Sequence, residues 1–271
     1  MLSPLLLATT ATLFAPPADP WPTVSVTIPT NSRPEFVRRA LEQIALQDYP
    51  HIAEVIIIDD SPPELRLVEP RHANLTVVHR VLGAPASIGA KRNLAVALAT
   101  GEVIAHWDDD DIYGASRLRT QVEPLSRGMA DMTLLDHRLT YAMGDDELYA
   151  SSSAPSWGPH FGTLVYHRAI VRNSVVFPDT SSAEDCGFAQ RAVLAGALLL
   201  VLDSAPDAAR PPLFVCVRHG SNTWEWDATT QRRKLAAHGA RVGVARLAAA
   251  DRAFAARMRE INGLAEDDFG A

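Results

Sequence analysis

Apolar and polar positions along the first half of the chain follow two alternating rhythms. Residues 23–28 form a β-branched apolar run between Pro22 and Pro29, which predicts a buried strand. Behind Pro34, a residue suited to a first helical turn, Phe36, Val37, Ala40, Leu41, Ile44 and Ala45 recur at helical spacing. The alternation then repeats: 54–58 predicts a second strand, 75–79 a third, 89–99 a helix and 103–107 a fourth strand. Strands separated by helices of this length imply right-handed crossovers and a mainly parallel sheet. Beyond residue 125 the rhythm loosens. Strands are expected over 131–135, 162–166, 198–202 and 213–217, and a helix over 187–194. The Ser- and Gly-Asp-rich stretch 143–159 reads as a mobile loop, and 228–261 as one or two amphipathic helices packed on the body.

The polar residues gather where those strands end. The first strand runs into Pro29-Thr30-Asn31-Ser32-Arg33, the second into Asp59-Asp60, and the fourth into Asp108-Asp109-Asp110-Asp111. In an open parallel sheet, ligands bind outside the carboxyl ends of the strands. Four consecutive carboxylates repel one another unless a cation sits among them, the arrangement that suits a hard metal and a phosphate-bearing ligand. No G-x-G-x-x-G follows the first strand and no G-x-x-x-x-G-K-[ST] occurs anywhere, which argues against a dinucleotide fold and a P-loop.

Composition narrows the field further. The 271 residues are 47% hydrophobic and 21% charged, ordinary for a globular chain, and the formal charge of −7 argues against nucleic acid or an anionic membrane as partner. The two cysteines, Cys186 and Cys216, are too few for a disulfide framework and read as reduced thiols in a cytoplasmic protein. Residues 1–18 are apolar but lack a basic start, and the apolar run 192–202 is too short to span a bilayer, so no stable membrane insertion is expected. The expected organisation is an N-terminal extension over 1–22, a main α/β domain over 23–227 and a helical segment over 228–271 packed on it.

Val24-Ser25-Val26-Thr27-Ile28-Pro29-Thr30, Ile56-Ile57-Ile58-Asp59-Asp60-Ser61, Gly89-Ala90-Lys91-Arg92-Asn93 and Trp107-Asp108-Asp109-Asp110-Asp111 occur in this order, followed by Glu184-Asp185 and by His219-Gly220-Ser221-Asn222. Together they resemble a GT-A glycosyltransferase of the family 2 type. The resemblance implies an α/β fold, with a Rossmann-like, mainly parallel sheet flanked by helices. It further implies inverting, divalent-metal-dependent transfer from a nucleoside-diphosphate sugar to a glycan, small-molecule or peptide acceptor. A UDP-sugar is the favoured donor and a GDP-sugar the second candidate. By that likeness Pro29, Thr30 and Arg33 line the nucleobase pocket, Asp60 accepts a hydrogen bond from the base, and Arg92 lies near the diphosphate. Asp110 and His219 bind Mn²⁺ or Mg²⁺, and Asp108 or Asp109 holds ribose or supports the metal, with the register of the four-Asp run open by one. Asp185 takes the general-base position.

Two rivals stand beside this reading: a sugar-1-phosphate nucleotidyltransferase, and a non-catalytic nucleotide- or carbohydrate-binding module. Trp157, Trp224 and Trp226 are candidates for stacking on sugar or aromatic faces, with core packing the equal alternative. His106 reads as packed inside its strand, His160 and His167 as structural, Cys186 as a small buried residue, and Arg210 as a surface residue.

Overall fold

The structure, a computed structural model, describes residues 21–68, 70–151, 158–172, 175–205, 210–219, 222 and 239–261. In the first half strands and helices alternate: β1 (Val24–Thr30), α1 (Pro34–Ala45), β2 (Ile52–Asp59), β3 (Val77–Val81), α2 (Ile88–Leu98) and β4 (Val103–His106). Then come β5 (Ile112–Tyr113), α3 (Arg117–Ser126), β6 (Met132–Asp136), β7 (Leu139–Ala142), β8 (Glu147–Ser151) and β9 (Pro159–His167). The remaining elements are α4 (Ala169–Arg172), α5 (Glu184–Leu194), β10 (Leu199–Leu202), β11 (Phe214–Arg218), β12 (Gly239–Val242) and α6 (Ala249–Ile261).

Seven strands form the main sheet in the order β10-β6-β9-β4-β1-β2-β3. β1 pairs in parallel with β2 and β4, β2 with β3, and β6 with β10, whereas β9 runs antiparallel to both β4 and β6. This is the mixed, mainly parallel α/β sheet that the apolar rhythm predicts. Burial explains why β2 reads as an unbroken apolar run: Val55 and Ile57 join the cluster containing Val37, Ile44 and Leu118, while Ile56 and Ile58 join Ile104, Phe177 and Phe188 on the other face. With side chains alternating across a strand, a sheet covered by helices on both sides needs apolar residues at every position. Each fully buried Ile or Val contributes about 1.5–3 kcal/mol relative to an exposed one.

A second sheet, in the order β12-β8-β7-β11-β5, sits beside the first and is where expectation and structure part. The stretch expected as a loop over 143–159 carries β8, which pairs antiparallel with β7, and residues 239–242 within the expected helical tail form β12 on the outside of β8. Short strands whose faces carry Tyr, Glu and Arg give little apolar alternation, so the period was hidden. α3 also went unread, since its polar residues Arg117, Thr120 and Gln121 surround a Pro, Pro124, within the helix. α6 packs back on α1: Asp251 accepts from buried Arg39, and Phe254 meets Phe36 edge-on at 5.5 Å. No helix among the described residues is long and apolar enough to cross a membrane. The arm over residues 1–20, and Trp157, Trp224 and Trp226, lie outside the described residues.

Candidate active site

β1, β2 and β4 run in parallel, so their carboxyl ends open on one rim, where a cleft of about 960 Å³ is lined by Pro29, Thr30, Arg33, Asp60, Arg92, Asp108, Asp109, Asp110 and Asp185 among others. His219, at the end of β11, borders it through Asp110. The sequence-predicted residues are therefore brought together on the rim where the strands end.

At the β2 end the two aspartates divide their tasks. Asp59 is fully buried, accepts from the Ser61 N–H at 2.8 Å and lies 3.2 Å from His79 Nε2. Burial opposes its charge, but those hydrogen bonds outweigh it and hold its pKa at about 2. Asp60 faces the cleft instead, accepting from Asn31 Nδ2 at 2.8 Å, Lys91 Nζ at 2.9 Å and the Ala86 N–H at 2.9 Å. A carboxylate offers about four lone-pair sites, so three donors leave room for one more. Lys91 also donates to the Thr30 carbonyl at 3.0 Å, which ties β1 to this carboxylate.

The four-Asp run resolves into distinct environments. Asp111 turns inward and accepts the Val217 N–H at 2.8 Å; burial, with Asp110 and Asp108 nearby, pushes its pKa well up. It fastens the turn to β11. Asp109 is buried and accepts from Thr30 Oγ1 at 2.6 Å and from Arg33 at 3.1 Å, yet burial raises its pKa to about 6. Asp110 Oδ2 receives Arg33 at 2.9 Å, His219 Nε2 at 3.1 Å and Asn222 Nδ2 at 3.2 Å. Burial works against that charge too, but the His219 hydrogen bond and Arg33 prevail, and its pKa falls to about 2. Asp108 accepts from Arg92 Nη2 at 2.9 Å and faces Gly162 of β9, where an added Cβ would lie 2.2 Å from its Oδ2. Arg33, expected beside the nucleobase, thus spends its guanidinium on Asp109 and Asp110 in this structure.

Beneath the run lies a charge the sequence reading missed. Arg117 is fully buried between the rings of Trp107 and Tyr113, its guanidinium carbon 4.7 and 4.1 Å from their centroids, and donates to the His106 carbonyl at 2.6 Å. Tyr113 Oη in turn accepts the Asp108 N–H at 3.2 Å. A buried cation stacked on aromatic faces lowers the electrostatic cost of four adjacent acids. Its only sequence signal is an Arg nine residues after Asp108, at the start of an unrecognised helix.

Across the cleft, α5 begins with Glu184 and Asp185 after Ala183, whose φ of 55° is left-handed. Glu184 is buried and accepts from Arg92 Nε at 3.1 Å, whereas Asp185 lines the cleft and accepts only the neighbouring Cys186 N–H at 2.7 Å among its hydrogen bonds here. Burial lifts the Asp185 pKa to about 6; Arg92 lowers it, and Glu184 and Asp108 add to the rise. Cys186, expected as buried, is part-exposed on the cleft wall. His160, expected as structural, lines the cleft with His137, their rings 5.3 Å apart, and burial lowers both pKa values to about 3. His106 is fully buried within β4 as expected, and Arg210 is exposed.

Structural comparison returns the same architecture. TarS 1–349 of S. aureus, solved in complex with UDP-GlcNAc, matches with a TM-score of 0.57 at 22% identity, covering 74% of this chain and 60% of that one. The mannosyltransferase PcManGT from Pyrobaculum calidifontis, in complex with GDP-Man and Mn²⁺, matches with a TM-score of 0.55 at 18% identity over 81% of this chain and 64% of that one. These likenesses establish the GT-A fold. In sequence, WcaA of Escherichia coli (strain K12), named for colanic acid biosynthesis glycosyl transfer, is 32% identical over 168 residues, 57% of this chain and 56% of that protein. The poly(ribitol-phosphate) beta-N-acetylglucosaminyltransferase TarS of Staphylococcus aureus (strain Mu50) is 26% identical over 187 residues, 63% of this chain and 32% of that protein. The chain therefore spans little more than half of one relative's length and a third of the other's. The model of glycosyl transferase family 2 matches residues 25–181, more than half of the chain, and the chain belongs to that family.

Proposed function

We propose that this chain transfers a sugar, with inversion, from a nucleoside-diphosphate donor to an acceptor hydroxyl on a glycan, small molecule or peptide. A UDP-sugar is the first candidate donor and a GDP-sugar the second, in line with the ligands of TarS and PcManGT. One observation carries the reading: a single cleft is lined by Asp60 at one strand end, by the acidic run Asp108 to Asp110 at another, and by Asp185, a raised-pKa carboxylate, at the start of α5. The part-exposed Cys186 and buried Cys216 are both free thiols, which suits a cytoplasmic setting.

The residues fit a divalent cation in a specific way. Among the described residues no three His, Cys, Asp or Glu side chains form a ready-made metal cage. Asp110 and His219, 3.1 Å apart, would supply one oxygen and one nitrogen, leaving the other positions for diphosphate oxygens. When bound, Mn²⁺ or Mg²⁺ would neutralise charge building on the departing diphosphate. Arg33, paired with Asp109 and Asp110, and Arg92, paired with Asp108, would add positive charge on the two sides of the same phosphates.

Asp185 does the proton work. The acceptor oxygen attacks the anomeric carbon from the face away from the diphosphate. The carbon–oxygen bond to phosphate breaks with its electron pair going to the diphosphate, and the acceptor proton passes to Asp185. A carboxylate whose pKa is lifted to about 6 is still ionised at neutral pH yet basic enough to take that proton. The test is a titration of UDP- and GDP-sugars with Mn²⁺ and with EDTA, followed by product analysis. Metal-dependent binding and a product anomer opposite to the donor's are expected; retention of configuration, or no binding of either donor, would overturn the proposal.

A further inference from the structure

We infer that Glu184 is a positioning residue which, through Arg92, ties the start of the base-bearing helix to the diphosphate end of the donor site. The inference rests on the assignment of Asp185 proposed above. Arg92 is 3% exposed and makes two directed bonds: Nε to Glu184 Oε1 at 3.1 Å and Nη2 to Asp108 Oδ1 at 2.9 Å. One guanidinium therefore bridges the acidic turn after β4 and the first residue of α5. Its remaining nitrogen, Nη1, is buried and has no hydrogen-bond partner. An unsatisfied buried donor is costly and becomes favourable when a ligand supplies the acceptor. Arg92 lines the cleft, so a phosphate oxygen is the chemical class that completes it.

The other end of the bridge is equally constrained. Glu184 is 4% exposed and directs its carboxylate to Arg92, which anchors the first turn of α5, the turn that carries Asp185. Ala183, one residue earlier, is held at φ 55°, a left-handed conformation that strains a non-glycine residue. Such strain persists only where neighbouring contacts over-determine it, and the Glu184–Arg92 pair together with the Gly187 N–H to Ala183 carbonyl bond of 2.9 Å are those contacts. A phosphate that engages Nη1 would add a third bond to this guanidinium and so stiffen, through Glu184, the turn that carries Asp185.

Cys186 supplies the readout. It is the next residue of the same turn and part-exposed, while Cys216 is 2% exposed, so iodoacetamide reports the helix start selectively. In the wild type, UDP or GDP with Mn²⁺ should slow alkylation of Cys186 about fivefold or more. In Glu184→Gln, calorimetry should give a nucleotide Kd within about threefold of wild type, but the slowing should shrink below about twofold. Release of UDP from UDP-GlcNAc into water should also drop about tenfold or more, a loss in turnover without a matching loss in binding. Glu184→Asp, which keeps the charge but shortens the reach, serves the same purpose if the amide variant fails to fold, and should behave alike. Full nucleotide protection in both variants would overturn the inference while leaving the donor site standing. Absence of binding by both nucleotides in the wild type would overturn the donor-site reading and this inference with it.

Discussion

At the scale of single residues, the site depends on carboxylates of one type held in unlike surroundings. Asp60 is charged, paired with Lys91 and faces the proposed base; Asp60→Ala removes a charged acceptor worth about 1.5–3 kcal/mol, so calorimetry should show donor affinity falling about tenfold or more. Asp185 carries the opposite perturbation. Because burial raises its pKa to about 6, transfer should climb as pH rises through about 6 and then level off. Asp185→Asn should cut turnover about 10²–10⁴-fold with donor affinity near wild type. The same shift has a stability signature. A carboxyl whose folded pKa lies above its unfolded value destabilises the fold at any pH where it is ionised, and the cost disappears below about pH 4, where both states are protonated. Asp185→Asn should therefore melt higher than wild type at pH 7.5, by on the order of 1–3 kcal/mol, and equal to it near pH 4. An unchanged melting curve at both pH values would contradict the buried-charge account.

At the scale of elements, contacts between strands and helices hold those residues in place. Gly162 lets β9 pass against Asp108; in Gly162→Ala the new methyl would sit 2.2 Å from the carboxylate, which must swing out of its bond to Arg92. The expected result is a modest loss of stability, about 1–3 kcal/mol by thermal melting, with a larger proportional loss of donor affinity. On the far side, His219 stacks on Phe36 at 4.8 Å, and Phe36 is backed by Phe254 of α6. Asp251→Ala would leave the buried Arg39 with only its Glu42 partner at 2.8 Å and loosen that stack. Destabilisation of about 1–3 kcal/mol is expected, together with weaker Mn²⁺-dependent nucleotide binding in a calorimetric titration.

At the scale of the whole molecule, what the sequence made legible follows from burial. β1, β2 and β4 are covered on both faces, so their apolar runs were plain, and the acids at their ends marked the rim of the cleft. The second sheet was illegible because β5, β7, β8 and β12 are two to five residues long and mix Tyr, Thr and Glu with apolar positions. Asp60, Arg92, Asp110 and Asp185 were singled out by motif order, and all four line the cleft. Arg117, Lys91 and Glu184 were not, because their roles arise from contacts 11 to 92 residues apart in the chain. The ion pairs of Arg33 were illegible for the same reason: nothing in Asn31-Ser32-Arg33 says that its side chain will reach Asp109 and Asp110, 76 and 77 residues on.

One strand reversal shapes what such a chain can become. β9 alone opposes its neighbours in the main sheet, so its first residues rather than its last, Pro159 to Gly162, reach the rim beside Asp108. The chain therefore arrives at the chemistry through a connection that bears none of the strand-end acids. The rim is thus assembled from both chain directions: polar groups from the carboxyl ends of β1, β2 and β4, and from the amino end of β9 a glycine, where any larger side chain would meet the Asp108 carboxylate.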